Sequence, residues 1–368
     1  MEQWIAGLIA EHKLPGPVWA IQLGFMLTAA LICIALFASL VAGLLTYAER
    51  RVAGKIQSRI GPNRVGPQGI LQFVADGVKL ILKEDIIPAD ADRPLFRLAP
   101  YLVATGTFLT LVVMPWGQRL VVSDLNVGVV YLVAVTSLVV AGILMSGWAS
   151  NNKWSLLGGF RSAAQVVSYE VPTGLSLLTV VILSGSLSLS EIVAGQAGGG
   201  GILRWNVFHN PFAFLAFFVF FISALAENNR IPFDMPEAES ELVSGYNTEY
   251  SGIRFGVFFI GEFATIWIVS GVATALFLGG WNFPGINPAP TSFLGAALGT
   301  GVFLVKSFAL VLLILQIRWT LPRVRVDQLM GICWKYLVPI AVLNVVMSAV
   351  WLVAFKGRGL YDLIAGLF

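Results

Sequence analysis

The sequence predicts an all-α integral membrane protein with about eight transmembrane helices and an interfacial amphipathic helix in its first cytoplasmic loop. Three observations predict it. Of 368 residues 57% are hydrophobic and only 12% charged, with a mean hydropathy of +0.82, outside the range of soluble domains. Apolar stretches recur at the length of about twenty residues that crosses a bilayer core. The basic residues also fall unevenly between the stretches. With eight spans, seventeen of the 23 Lys and Arg collect on one side, five on the other, and Lys306 lies inside a span. Positively charged loops stay in the cytoplasm, so both termini are expected outside and the acidic loop in the cytoplasm.

The spans are read at 18–47, 98–115, 127–148, 162–186, 211–226, 253–279, 296–319 and 335–355. They must be helical, because hydrocarbon leaves an open backbone without hydrogen-bond partners. The first is long enough to tilt and the fifth is short. Residues 1–368 form one polytopic domain, and the N-terminus has the polarity of a retained helix rather than a cleaved signal.

The first cytoplasmic loop, 49–97, holds the turn-rich run Gly61-Pro62-Asn63-Arg64-Val65-Gly66-Pro67. After it, Ile70, Leu71, Val74, Val78, Ile81 and Leu82 recur at helical spacing, with Asp76, Lys79, Lys83 and Glu84 mostly off that stripe. Such a helix lies along the membrane surface, either as a simple anchor or as one wall of a cavity there.

The acidic loop 227–252 is the most unusual segment. From Glu227 to Tyr250 it carries six of the chain's twenty acids (Glu227, Asp234, Glu237, Glu239, Glu241 and Glu249) and one arginine, Arg230. Like charges gathered beside a bilayer add nothing to stability, and ionisable groups there point to function. Pro232, Phe233, Pro236, Tyr246 and Tyr250 make it an ordered loop. The basic cluster Arg50, Arg51, Lys55, Arg59 and Arg64 is expected to balance it as a charge-paired lid over a polar vestibule open to lipid, a place suited to a quinone.

Within the spans, Glu49, Glu170, Glu227 and Glu262, with Lys306 as the one cation, are the set a proton relay needs. Pro172 and Gly174 break the fourth span beside Glu170. The third span has no acid between Val127 and Trp148, and offers Ser137 among its few polar residues. Cys33 and Cys333, like His12 and His209, are isolated and form no metal or redox motif. They read as a small buried thiol or an interfacial imidazole, and the chain is expected to bind no cofactor.

Specific motifs carry a family resemblance. Glu49-Arg50-Arg51, Gly61 to Pro67, Ala75-Asp76-Gly77-Val78-Lys79 and Lys83-Glu84-Asp85 resemble the first cytoplasmic loop of the H-type membrane subunits of bacterial NADH–quinone oxidoreductase, respiratory complex I. Ser146 to Ser150, Ser168-Tyr169-Glu170, Ala226 to Asp234, Glu237 to Leu242, Glu249-Tyr250 and Leu321 to Met330 continue the likeness, which covers about residues 45–330. The resemblance implies a subunit that joins the hydrophilic arm to the proton-pumping arm and helps form the quinone chamber. It implies quinone as substrate, with FMN and iron–sulfur clusters in partner subunits. Those partners would be the hydrophilic quinone-site and iron–sulfur subunits, small membrane subunits and antiporter-like subunits, within the lipid bilayer and without nucleic acid.

By the same resemblance Glu49, Arg50, Arg51, Arg59, Arg64 and Asp76 would line or close the chamber. Glu170, Glu227 and Glu262 would carry a proton or a signal, and Asp234, Glu237, Glu239, Glu241 and Glu249 would couple to the quinone through their field. The competing readings are the equivalent subunit of a membrane-bound hydrogenase and a stand-alone cation/proton antiporter. The antiporter would bring inverted repeats, which the two halves lack.

Overall fold

The computed structural model describes residues 18–118, 120–198, 201–236, 239–284, 293–356 and 359–365. Among these residues the protein is helical, with no β-strand. In chain order the helices are α1 (Val18–Ile56), α2 (Gln72–Leu82), α3 (Arg93–Thr110), α4 (Gly128–Ala149), α5 (Lys153–Ser184), α6 (Leu189–Gly195), α7 (Asn206–His209) and α8 (Pro211–Glu227). They continue with α9 (Glu239–Leu242), α10 (Gly252–Leu276), α11 (Phe293–Thr320), α12 (Val326–Gly331), α13 (Val338–Ala354) and α14 (Leu360–Ala365).

Five described stretches are long and apolar enough to cross a membrane. They are α4, α5, α10, Gly295–Thr320 within α11, and Val326–Ala354, which joins α12 to α13 through a π-helical segment at Ile332–Leu337. The apolar α8 is shorter, at 17 residues. The chain is a multi-pass membrane protein, and large apolar side chains stand exposed on its outward faces, among them Leu138, Val167, Phe218, Val305, Val346 and Val353.

Several bounds differ from the sequence reading, each for a local reason. α1 runs on through Glu49, Arg50 and Arg51 to Ile56, because no proline occurs between Val18 and Pro62. The segment 49–97 therefore opens as helix rather than loop. α5 starts nine residues before its apolar stretch, since Asn152 caps it by accepting from Trp154 N at 2.9 Å. α2 presents no buried residue, and Ile70, Leu71, Val74, Val78, Ile81 and Leu82 around it are exposed. It is fastened to α1 where Gly43 gives way to Phe73: a Cβ at Gly43 would run into the Phe73 ring.

At the centre, α5 packs on α4, α8 and α13, while α10 packs on α1, α3 and α11. Small residues let α3 and α4 approach closely. A Cβ at Gly142 would meet Val103 at 2.6 Å, and one at Gly106 would meet Val139 at 2.8 Å.

Pro172 stays inside α5 without ending it. Its missing N–H frees the carbonyl four residues back, Ser168 O. The Cys333 thiol donates to that carbonyl at 3.1 Å, from the π-helical segment. Beside it the Tyr169 hydroxyl donates to Leu329 O at 2.9 Å. In this way α12 and α13 are stitched to α5 at the proline.

Candidate functional site

The acidic loop is folded, with Phe233, Met235, Leu242, Tyr246 and Tyr250 buried. Gln165 of α5 holds its entry, donating from Nε2 to Ala226 O and Phe233 O, each at 2.7 Å. Pro232 O accepts from Val324 N at 2.9 Å. Tyr250 closes the exit, stacked on Phe96 at 4.0 Å with its hydroxyl donating to Phe96 O. Burial among these rings pushes the Tyr250 phenol above its ordinary range, with Arg254 opposing.

This folding delivers Arg230 into the bundle, where it is 2% exposed. Its Nη1 lies 3.4 Å from Glu49 Oε2 of α1 and its Nη2 2.9 Å from Glu262 Oε1 of α10. Glu49 also pairs with Arg318 at the end of α11. The Arg230 guanidinium lies 4.5 Å from the Phe263 ring centroid, a cation–π contact. Asp234 is close enough to act on Glu262 electrostatically. A cavity of about 360 Å³ opens here, with Thr46, Arg50, Asn247, Phe255, Phe259 and Phe263 also on its wall. Two cations and two carboxylates offset one another, which is how charge is kept so deep.

A second, narrower cavity of about 70 Å³ lies between α3, α4, α5, α8 and α10. Glu170 and Glu227 face it together with Thr107, Thr110, Thr136, Thr173 and Thr265. Glu227 is within electrostatic reach of Glu170 and hydrogen-bonds with Thr173. Ser137 Oγ of α4 donates to Glu170 Oε1 at 3.3 Å. The acid-free third span thus does reach the carboxylates, through a hydroxyl.

The expected lid pairing is organised differently. Arg50 turns to Asp76 of α2 at 2.7 Å. Arg51 donates to the Tyr47 hydroxyl and to Gln68 O, and Arg59 to Gln57. Arg59 and Arg64 are exposed and stand outside the cavity wall. Glu241 pairs with Arg161 at 2.8 Å and Arg323 at 3.4 Å, and Glu249 accepts from Asn152 at 2.6 Å. Hydrogen bonding from Arg161, with Arg323 adding to it, holds the Glu241 carboxyl below the ordinary carboxylate range. The reason is geometric: the loop crosses the start of α5 and the segment after α11, not the turn at Gly61. Glu237 and the Glu239 side chain lie outside the described residues.

Lys306 does not join the acids. Its Nζ donates to Leu278 O, Gly280 O and Asn282 O at 2.8, 3.0 and 2.6 Å, and lies 4.1 Å from the Trp205 ring centroid. It closes the loop beyond α10, at the end of the bundle remote from Arg230. The residues that sequence reasoning left without a site role are Arg230 and Arg318. Arg230 was visible as the one cation in an acidic run, whereas Arg318 gave no local signal.

The fold and site define a polytopic helical membrane protein with Glu49, Arg50, Arg230, Glu262 and Arg318 on the wall of one internal cavity and Glu170 and Glu227 on that of another. Comparison with known proteins narrows that class. The family model for NADH dehydrogenase matches residues 28–349. The chain is 48% identical over 349 residues to the H-type subunit of the NADH-quinone oxidoreductase of Anaeromyxobacter dehalogenans, a match covering 90% of this chain and 83% of that one. It is 46% identical over 337 residues to the same subunit of Chlorobaculum tepidum, covering 90% and 93%. With that of Chlorobium luteolum it shares 44% over 339 residues, covering 90% of each. The chain belongs to the NADH dehydrogenase family.

Proposed function

We propose that the chain is the H-type membrane subunit of an NADH–quinone oxidoreductase, forming part of the quinone chamber and coupling quinone reduction to proton translocation. The observation that carries this reading is the cavity where Glu49, Arg230, Glu262 and Arg318 meet Phe255, Phe259 and Phe263. A wall both aromatic and hydrogen-bonding suits a planar head group with two carbonyls. Arg50, Arg51 and Asp76 flank the cavity where α1 meets α2, and Arg59 and Arg64 stand on the exposed turn beyond it, free to meet a partner subunit. In this reading α2 lies in the membrane interface and guides the apolar tail. In the same reading eight spans cross a bacterial inner membrane, with these loops in the cytoplasm and both termini in the periplasm, which the uneven basic residues support.

An iron–sulfur cluster in a neighbouring hydrophilic subunit would supply the two electrons of the reduction, and two protons would complete the quinol. Negative charge arising on the head group draws Arg230 and Arg318 toward it and away from Glu49 and Glu262. A carboxylate whose cation is drawn off is free to take up a proton. Glu262, Glu227 and Glu170 then pass it toward antiporter-like subunits through the threonine-lined cavity. Asp234, Glu237, Glu239, Glu241 and Glu249 set the field in which this happens.

Purification of the native assembly in mild detergent tests the reading: a peripheral arm with NADH–quinone activity is the expected result, and a hydrogenase in its place overturns it. In that assembly Glu227→Gln is expected to lower proton-coupled quinone reduction with the complex intact. Wild-type turnover and pumping in the variant would remove Glu227 from the relay.

A further inference from the structure

The threonine-lined cavity that holds Glu170 and Glu227 follows α10 from Thr265 as far as Val272. Thr107, Thr136 and Thr265 each donate their hydroxyl to a carbonyl of their own helix. What remains to them is lone pairs, which water can answer. Directly beyond Val272 the chemistry changes, because every main-chain carbonyl from Ala273 to Gly280 already accepts a hydrogen bond. Phe277 N bonds Ala273 O, Leu278 N and Gly280 N bond Thr274 O, Val207 N bonds Phe277 O, and Asn282 N bonds Gly279 O. Gln196 Nε2 reaches Ala275 O at 2.9 Å, and Asn206 Nδ2 reaches Leu276 O at 2.7 Å. Lys306 completes the cap at Leu278 O and Gly280 O, with Asn282 O as its third acceptor.

This end of α10 therefore needs no water to satisfy it, and a charge stands there instead. A helix C-terminus carries roughly half a negative charge and draws cations. The full positive charge of Lys306 outweighs it, and among the described residues no carboxylate pairs with the ammonium. Leu278 lies about 9 Å past Val272, counted at about 1.5 Å per residue, so the ammonium stands close behind the cavity. A fixed cation in a pore lining excludes protons in this way. We propose, building on the relay reading above, that Lys306 and the cap it completes are a proton barrier. A proton in the Glu170–Glu227 cavity meets a dry, positive end along α10, and leaves sideways to neighbouring subunits instead of crossing to the far face of the membrane within this one.

The test uses the purified assembly in sealed liposomes without NADH, where a trapped pH dye follows the collapse of an imposed pH gradient. Lys306→Met is expected to raise the passive proton leak about tenfold, the effect of one unit charge about 10 Å away at an effective dielectric constant of about 20. Lys306→Arg should stay tight. Trp205, whose ring centroid is 4.1 Å from the ammonium, allows the charge to be cancelled with the cap in place. Trp205→Glu should leak as well, and it carries the test alone where Lys306→Met fails to assemble. Wild-type tightness in either assembled variant overturns the barrier and leaves the relay standing. Adding Glu227→Gln to the leaky variant should remove the extra leak. A leak that survives it overturns Glu227 as the source of the proton and leaves the barrier standing.

Discussion

Arg230 touches two carboxylates and an aromatic ring at once, and it reaches them from a loop rather than from a membrane helix. Removing it leaves Glu49 and Glu262 facing each other inside the protein, with Arg318 holding only the first. Breaking a buried ion pair from one side costs about 3–5 kcal/mol. Arg230→Met is therefore expected to lower the unfolding midpoint of the purified assembly sharply, read by heating in detergent. Adding Glu262→Gln to that variant should restore part of the loss, because it removes the charge left bare. Cys333 makes a related point on a smaller scale. The sequence shows a lone thiol, and only the fold shows that it serves the carbonyl that Pro172 sets free.

At the scale of elements, the acidic loop is anchored from outside as well as inserted from within. Glu241 ties it to Arg161 and Arg323, and its carboxyl is held below the ordinary glutamate range by those cations. A depressed folded-state value means that the tie stabilises docking above the ordinary value of about 4.3 and fades as pH falls through the lower, folded-state one. Hydrogen exchange of the loop amides in the intact assembly should rise over that acidic window in the wild type. In Glu241→Gln it should be raised already at neutral pH and lack the acid step.

The limits of this loop were legible in the sequence, because apolar runs end sharply at Glu227 and resume at Gly252. Its charge partners were not. Arg161 lies 80 residues from Glu241, Arg230 lies 181 from Glu49 and Arg318 lies 269 from it. Nothing in local pattern encodes which cation a carboxylate meets across such separations. Ser137 is a different case: the sequence marks it in an acid-free span that a relay is expected to bypass, and the fold sets its hydroxyl on Glu170.

For the whole molecule, the uneven distribution of basic residues and the clustering of charge near one end describe the same polarity. Lys153 at the start of α5 and Ile202 between α6 and α7 stand exposed at opposite ends of the bundle. With the proposed orientation, Lys153→Cys should react with a membrane-impermeant maleimide only in inverted vesicles, and Ile202→Cys only in right-side-out ones. The reverse pattern would invert the topology. The count of spans was harder to read than their existence, since α1 and α3 continue into charged segments and α8 is short.

The grip of Lys306 on three backbone carbonyls gives the bundle its fixed point. Glu49 and Glu262 are held by side-chain cations, whereas Lys306 is shared among three main-chain oxygens of one loop. The two ends of the protein therefore differ in kind: one is a latch and the other a rivet. Were the proposed charge shift to loosen the Arg230 cluster, α10 and α11 would stay joined at the Lys306 end, and the motion left to them would be a splaying about that point. Displacement should then grow along these helices toward Glu262 and Arg318, turning a change of one charge into leverage.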